Sequence, residues 1–282
     1  MTSGDGRCYD PVVPDPIADP ECPRCGGRGW LRVADGGAGS AIPCSCRASR
    51  LGPLREEAAS IPARFAECSF DSFATHGTEG EHLLRAKKQC EAFIDDFFSL
   101  DGNQVERGLL LIGIPGVGKT HLAVAVLRKL IARGLHGRFL DFSAFLSRLQ
   151  ASFDPTSEES RHRLLDPILG AEVLLFDDLG AQRPSPFVQD ILYLIINTRY
   201  SEKRTTLFTT NFRLRASGAA RTAQAKMRMD APQPWIVEGR PESEVDLLTD
   251  RLPPRLVSRV CEMARPILIQ GRDRRLAPVG LG

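Results

Sequence analysis

The chain has 282 residues, of which 26% are charged and 42% hydrophobic, with a formal net charge of +2. That length allows one large α/β domain with a small appendage, and the near-neutral balance excludes a global field of the kind that draws a protein to nucleic acid. The start, MTSGDGRCYDPVVPDP, lacks an apolar core, and the longest apolar runs, LLLIGI and ILYLII, are too short to span a bilayer. Neither a signal peptide nor a membrane segment is therefore expected, and the protein is placed in the cytoplasm.

Residues 1–20 are rich in Pro, Asp and Gly and read as disordered. Residues 21–47 hold ECPRCGGRGW and IPCSCR, which pair Cys22 with Cys25 and Cys44 with Cys46 around a Gly/Ala-rich loop. Four thiolates suit a closed tetrahedral zinc site, and so short a segment needs such a staple to fold. The Gly-Gly after Cys25 lets backbone amides turn toward the sulfurs. The second pair has one spacer residue where two are usual, and free or redox cysteines are the alternative. Of the other four cysteines, Cys8 has no assignment, and Cys68, Cys90 and Cys261 read as core packing.

Residues 48–60 read as a linker. A helix begins near Glu81, with Leu83, Cys90, Ile94 and Phe97 on one face. The buried strand GLLLI (108–112) follows, then GIPGVGKT (113–120) and a helix over 119–133. HGRFLDF is a second strand and SAFLSRLQ a helix. After a polar segment another helix ends near Gly170. EVLLFDD is the third strand, FVQDILYLIINTRY a long helix and RTTLFTTN the fourth strand. Residues 213–246 are irregular and without assignment. A helix from about Pro254 to Met263 precedes a last strand, PILIQ. Strands alternating with helices imply a parallel sheet covered on both faces.

GIPGVGKT matches G-x-x-x-x-G-K-[ST] in full, between a strand and a helix as the motif requires. Gly113, Pro115, Gly116, Val117, Gly118, Lys119, Thr120 and His121 are the candidate nucleotide-binding residues. The glycines let backbone N–H groups wrap phosphate oxygens, Lys119 reaches the outer phosphates, and Thr120 ligates Mg²⁺. In LLFDDLG three apolar residues run straight into two carboxylates, which is costly to bury without a cation. Asp177 fits as the second magnesium ligand, brought in with the nucleotide. Asp178 would orient or deprotonate the attacking water, or else cap the turn before Leu179. It is one methylene shorter than a glutamate, so turnover is expected to be slow or dependent on assembly. Asn211, at the end of TTN, would hold that water, or is a plain strand-end asparagine.

In this order, the phosphate loop, LLFDDLG, TTN and RLPPRLVSRV resemble the AAA+ ATPases of the bacterial helicase-loader type (DnaC and DnaI) and their relatives, the IstB transposition helpers. The likeness runs from IPARF at 61 to GRDRR at 271–275, and the DDLG form is more similar to the DnaI side. The resemblance implies an α/β fold: a parallel five-stranded P-loop (AAA+/ASCE) sheet flanked by helices over residues 61–282. It also implies a small N-terminal zinc module, no C-terminal lid, and the TTN strand lying between the other two motif strands. IPARFAECSFDSF resembles the lead-in that lies near the adenine. Arg259 matches the arginine finger, which acts on a neighbouring subunit, with Arg255 as its helper. For a generic helix, a solvated basic face would be the better reading. Between Arg251 and Arg275 there are seven arginines against Glu262 and Asp273. Arg272, Arg274 and Arg275 are not assigned as counterparts of a lid arginine.

The function implied is an ATPase, with ATP, Mg²⁺ and Zn²⁺ as cofactors, that loads a replicative DNA helicase onto single-stranded DNA and self-assembles into a ring or spiral. A helper of a DNA transposase and a non-hydrolysing ATP-binding adaptor are the alternatives. Ser152–Arg163 lies where relatives carry DNA-contacting elements. Its Asp154, Glu158 and Glu159 beside Arg161, His162 and Arg163 read equally as a solvated face.

Overall fold

A computed structural model of the protein describes residues 18–32, 41–77, 79–97, 108–154, 160–183, 185–214 and 247–275. The chain divides into two compact units, residues 1–57 and 58–282. The expectations for residues 1–17 and 215–246 lie outside the described residues.

In the first unit, the strands β1 (Trp30–Arg32) and β2 (Ala41–Pro43) pair antiparallel, with Trp30 opposite Pro43. This short hairpin carries the second cysteine pair back to the first. The stretch expected as linker is largely a helix, α1 (Ser45–Ala58). Gly52 and Pro53 disguise it, because either residue ordinarily breaks a helical reading. The flanking Arg, Leu, Glu and Ala are all good helix formers.

The second unit is a three-layer α/β/α domain. Its elements in chain order are α2 (Gly80–Phe97), β3 (Leu109–Ile112), α3 (Lys119–Ala132), β4 (Gly137–Asp141), α4 (Phe142–Ala151), α5 (Arg161–Gly170), β5 (Val173–Asp177), α6 (Pro186–Ser201), β6 (Thr205–Thr210), α7 (Pro254–Met263) and β7 (Arg265–Leu268). The five strands from β3 to β7 form one parallel sheet in the order β4-β5-β6-β3-β7. The expected five-stranded sheet is present, and β6 lies between β3 and β5 as the resemblance implies.

Strand periodicity divides the core in two. Leu109, Leu111, Val173, Leu175, Leu207 and Ile267 pack against α2 and α3. Leu110, Ile112, Leu174, Phe176 and Phe208 pack on the opposite face against α4 to α7. Since both faces are covered, β3, β5 and β6 are apolar or hydroxyl-bearing almost throughout. Gly108 shows how closely these strands pack: a Cβ there would lie 2.1 Å from the Thr206 carbonyl oxygen.

Side-chain caps start α4, α5 and α6. Asp141 accepts from Ala144 N, Ser160 from Arg163 N, and Ser185 from Val188 N, with Pro186 in the first turn of α6. Arg199 is fully buried and donates to the carbonyls of Ile168 and Ala171 and to Thr206 Oγ1, which fixes the end of α5 to the start of β6. Cys68 and Cys90 are buried as expected of core residues, but Cys261 is exposed. The helix α7 turns Leu256, Val257, Val260 and Met263 inward, and that face leaves position 261 in solvent.

Candidate active site

Three segments converge at the C-terminal edge of the sheet, where open parallel α/β sheets bind ligands. The loop after β3 leads into α3, β5 ends on Asp177, and β6 between them ends on Thr210. The loop needs its glycines. Gly116 and Gly118 have φ of +75° and +108°, left-handed values that side chains resist. A Cβ on Gly118 would meet the Phe73 ring at 2.7 Å.

Thr120 Oγ1 donates to Asp177 Oδ1 at 2.9 Å, and Thr209 Oγ1 donates to the same oxygen at 2.7 Å. Thr209 Oγ1 in turn accepts from Asp178 N at 2.8 Å. Burial pushes the Asp177 carboxyl above its ordinary range; the Thr209 and Thr120 hydroxyls oppose this and the Asp178 charge adds to it. Two oxygen donors at this separation fit a magnesium ion, whose neighbouring octahedral ligands lie about 3 Å apart.

Lys119 is 6% exposed. Its Nζ donates to Ile114 O at 2.9 Å and to Asn211 Oδ1 at 2.6 Å. Asn211 Nδ2 donates to Asp178 Oδ1 at 2.8 Å. Asn211 therefore bridges the loop lysine and the second acid. Burial brings the Lys119 ammonium down to about 8, against the raising effect of Asp178 and then Asp177. Asp178 sits at φ +59°, a left-handed value that aspartate tolerates better than most residues, and it is exposed. Among the described residues its side-chain bond runs to Asn211, and its backbone amide is held by Thr209.

His121 faces the lead-in segment. Its Nε2 lies 2.8 Å from Ser69 O and 3.2 Å from Ser72 Oγ, and its ring meets Phe73 edge-on at 5.3 Å. Burial lowers its affinity for a proton. The segment after β7 crosses the phosphate loop, with Arg274 N donating to Gly116 O at 3.2 Å. The Arg274 guanidinium stacks on Phe73 at 4.9 Å and donates to Ala74 O.

Arg259 is on α7, half-buried, with its guanidinium 5.2 Å from the Tyr193 ring and 5.6 Å from that of Tyr200, both on α6. Its Nη1 is buried with no hydrogen-bond partner among the described residues. Arg255 stacks on the same Tyr193 ring at 5.3 Å. Among the described contacts neither arginine touches Lys119, Thr120 or Asp177. In the Ser152–Arg163 stretch, Arg161 lies over the exposed Phe153 ring, which also meets Phe187.

In the first unit, the sulfurs of Cys22, Cys25, Cys44 and Cys46 all lie within 4.8 Å of one another. Cys22 and Cys44 are 3.7 Å apart, and Cys25 and Cys46 3.5 Å. Tetrahedral zinc with bonds of about 2.3 Å would set sulfurs about 3.8 Å apart, so the donor set fits. Gly26, Gly27 and Gly29 all have positive φ, and Gly29 N donates to Cys25 Sγ at 3.3 Å. The Cys22 thiol is lowered, first by the backbone amide of Cys25. Cys46 is raised: a backbone hydrogen bond at Asp19 opposes this, but burial and the three other thiols outweigh it. Four sulfurs this close cannot all ionise without a cation among them.

From the sequence no role follows for Thr209, which enters only as part of TTN, or for the segment 271–275, whose arginines stay unassigned. Period-2 alternation along TTN would have placed Thr209 on the same face as Asn211.

The profile of a family described as IstB-like ATP binding protein matches residues 62–226, more than half of the chain. The chain belongs to this family. Among curated relatives, this IstB-like protein is 29% identical over 144 residues to the replicative helicase loader DnaC of Escherichia coli K12, covering 51% of this chain and 55% of that one. It is 28% identical over 148 residues to the DnaC of Buchnera aphidicola from Acyrthosiphon pisum, covering 52% and 56%. The chain thus spans about half the length of the curated relatives it matches. A crystal structure of the DnaC helicase loader superposes with a TM-score of 0.53 at 27% identity, over 74% of this chain and 100% of that one. A crystal structure of DnaI shares the fold, with a TM-score of 0.52 at 22% identity over 75% and 95%. Among the described residues no helix is long and apolar enough to cross a membrane.

Proposed function

We propose that this IstB-like protein is an ATP-dependent loader of a replicative DNA helicase, acting in the cytoplasm on single-stranded DNA and assembling with copies of itself. The observation that carries this reading is the likeness to DnaC over the whole of the DnaC crystal structure, together with the convergence of Lys119, Thr120, Asp177 and Asn211 at one sheet edge. The backbone amides from Gly116 to Thr120 receive the phosphates of ATP, and the phosphate oxygens replace Asn211 and Ile114 O as partners of Lys119. A magnesium ion held by Thr120 and Asp177 would neutralise charge across the outer phosphates. Thr209 holds Asp177 in place for that task. Asn211 keeps the Asp178 carboxylate turned toward the phosphate loop, where it orients the attacking water and takes its proton. Arg259, held against two tyrosine rings on the α6–α7 face, serves the site of a neighbouring copy; such a finger raises the rate by about 10³ or more. The four cysteines hold a structural zinc ion.

The test compares ATP turnover of the wild type, Lys119→Ala, Arg259→Ala and an equal mixture of the two variants, with single-stranded DNA and the host helicase present. Each variant alone should be inactive. The mixture should regain part of the activity, because one variant supplies an intact phosphate site and the other an intact finger. Full activity of either variant alone would end this assignment. The family match favours a second reading, a helper of a DNA transposase. Capture of the transposase on duplex DNA, with no capture of the helicase, would select it.

A further inference from the structure

The five residues after β7 and Ile269–Gln270, GRDRR, pass directly over the phosphate loop. Ile269 N donates to Ile112 O, which continues the pairing of β7 with β3 up to the point where the loop begins. A Cβ on Gly271 would lie 3.0 Å from Val117 Cγ2, and Arg274 N bonds Gly116 O. Between these two attachments lies Asp273. Its carboxylate rests on Gly116: a Cβ there would fall 1.6 Å from Oδ1 and 2.7 Å from Oδ2. Arg275 N donates to Oδ1 at 2.9 Å, which holds the carboxylate in this pose.

An anion seated on a loop whose chemistry is to receive anions calls for an account. Asp273 is the only acid of the segment, against Arg272, Arg274 and Arg275. Its charge is felt at Lys119, where it acts with Asp178 and Asp177 and against Arg275. Arg274 has separate attachments, to Phe73 and Ala74 O, that do not depend on the carboxylate.

We infer that Asp273 is an intramolecular competitor of the nucleotide's phosphates: an acidic latch on Gly116 that triphosphate must displace. The inference rests on the ATP-site reading above. Displacement moves one negative charge off the loop and leaves the guanidiniums of Arg274 and Arg275 beside it, so entry is opposed at first and the basic segment then closes over the phosphates. Beyond the space it occupies, the carboxylate competes through its charge. The competition therefore grows with the charge of the ligand and weakens with salt.

Asp273→Asn keeps the shape and the acceptor for Arg275 N while removing the charge. Asp273→Glu keeps the charge and is the control. Calorimetric titration of the full chain with ATP, ADP, AMP and inorganic tripolyphosphate should show Asp273→Asn binding ATP and tripolyphosphate about three- to tenfold more tightly than wild type, with a smaller gain for ADP and almost none for AMP. The gain should shrink between low and high salt, and Asp273→Glu should show none. Unchanged affinity in Asp273→Asn overturns the inference, as does weaker binding of ATP with tripolyphosphate unaffected, which would make Asp273 a ligand of the ribose or base. If wild type and Asp273→Asn both bind neither ATP nor tripolyphosphate, the reading of the site itself fails, and the latch with it. If wild type binds ATP, Lys119→Ala does not, and Asp273→Asn matches wild type, the latch alone fails.

Discussion

Lys119→Met tests whether the loop lysine is kept at a cost to the fold. The ammonium is buried, and burial takes it from an ordinary value of 10.5 to about 8. A fall of that size corresponds to about 3 kcal/mol of destabilisation while the lysine is charged. Methionine keeps most of the stem packing and removes the charge. It also removes the bonds from the charged ammonium to Ile114 O and Asn211 Oδ1, worth about 1.5 kcal/mol each. In nucleotide-free buffer at pH 7 the two effects therefore nearly cancel, and the variant should match wild type to within about 1 kcal/mol, or about 2–4 °C in Tm for a domain of this size. The pH dependence is the stronger test. Between about 8 and 10.5 the unfolded chain holds a proton that the folded protein has released, so wild-type stability rises with pH relative to the variant. Urea midpoints at pH 7, 8.5 and 10 should show the variant fall progressively below wild type, a swing of up to about 3 kcal/mol. The same variant should bind no ATP. A difference that stays constant across this range would refute the claim that Lys119 is held charged against burial.

Thr209→Val is nearly isosteric but leaves Asp178 N without its acceptor and removes one of the two hydroxyls on Asp177. It should cost about 2 kcal/mol in urea unfolding and weaken magnesium-dependent more than magnesium-free ATP binding; equal weakening of both would contradict the assigned role. In the first unit, purified protein should contain one zinc ion per chain by atomic emission, and Cys44→Ser should lose it. Iron, or no metal in wild type, would refute the zinc reading.

Much of the candidate phosphate site was legible because its determinants are local. Lys119 and Thr120 follow from an eight-residue motif between a strand and a helix, and Asp177 from its place at the end of an apolar run. Asn211 was reachable from a strand tip, although its bridge between Lys119 and Asp178 was not. That bridge exists because β6 lies between β3 and β5, and strand order depends on how helices pack across a sheet. Thr209 escaped for the same reason: a threonine in a strand is ordinary until a neighbouring strand presents an aspartate to it. The helix α1 was hidden by Gly52 and Pro53, residues whose local preference the surrounding helix formers outweigh.

The sequence by itself determined the class of chemistry. Spacing decided the phosphate loop, the four clustered cysteines and the alternation of strands and helices, because each depends on residues near one another in the chain. Only the tertiary structure decided which distant groups share a field. It seated Arg259 between two tyrosines of α6, buried Arg199 against three segments, and laid Asp273 on Gly116 at the far end of the chain. Charges act through space over a few ångströms, and the folded sheet, not the order of residues, sets which of them come that close.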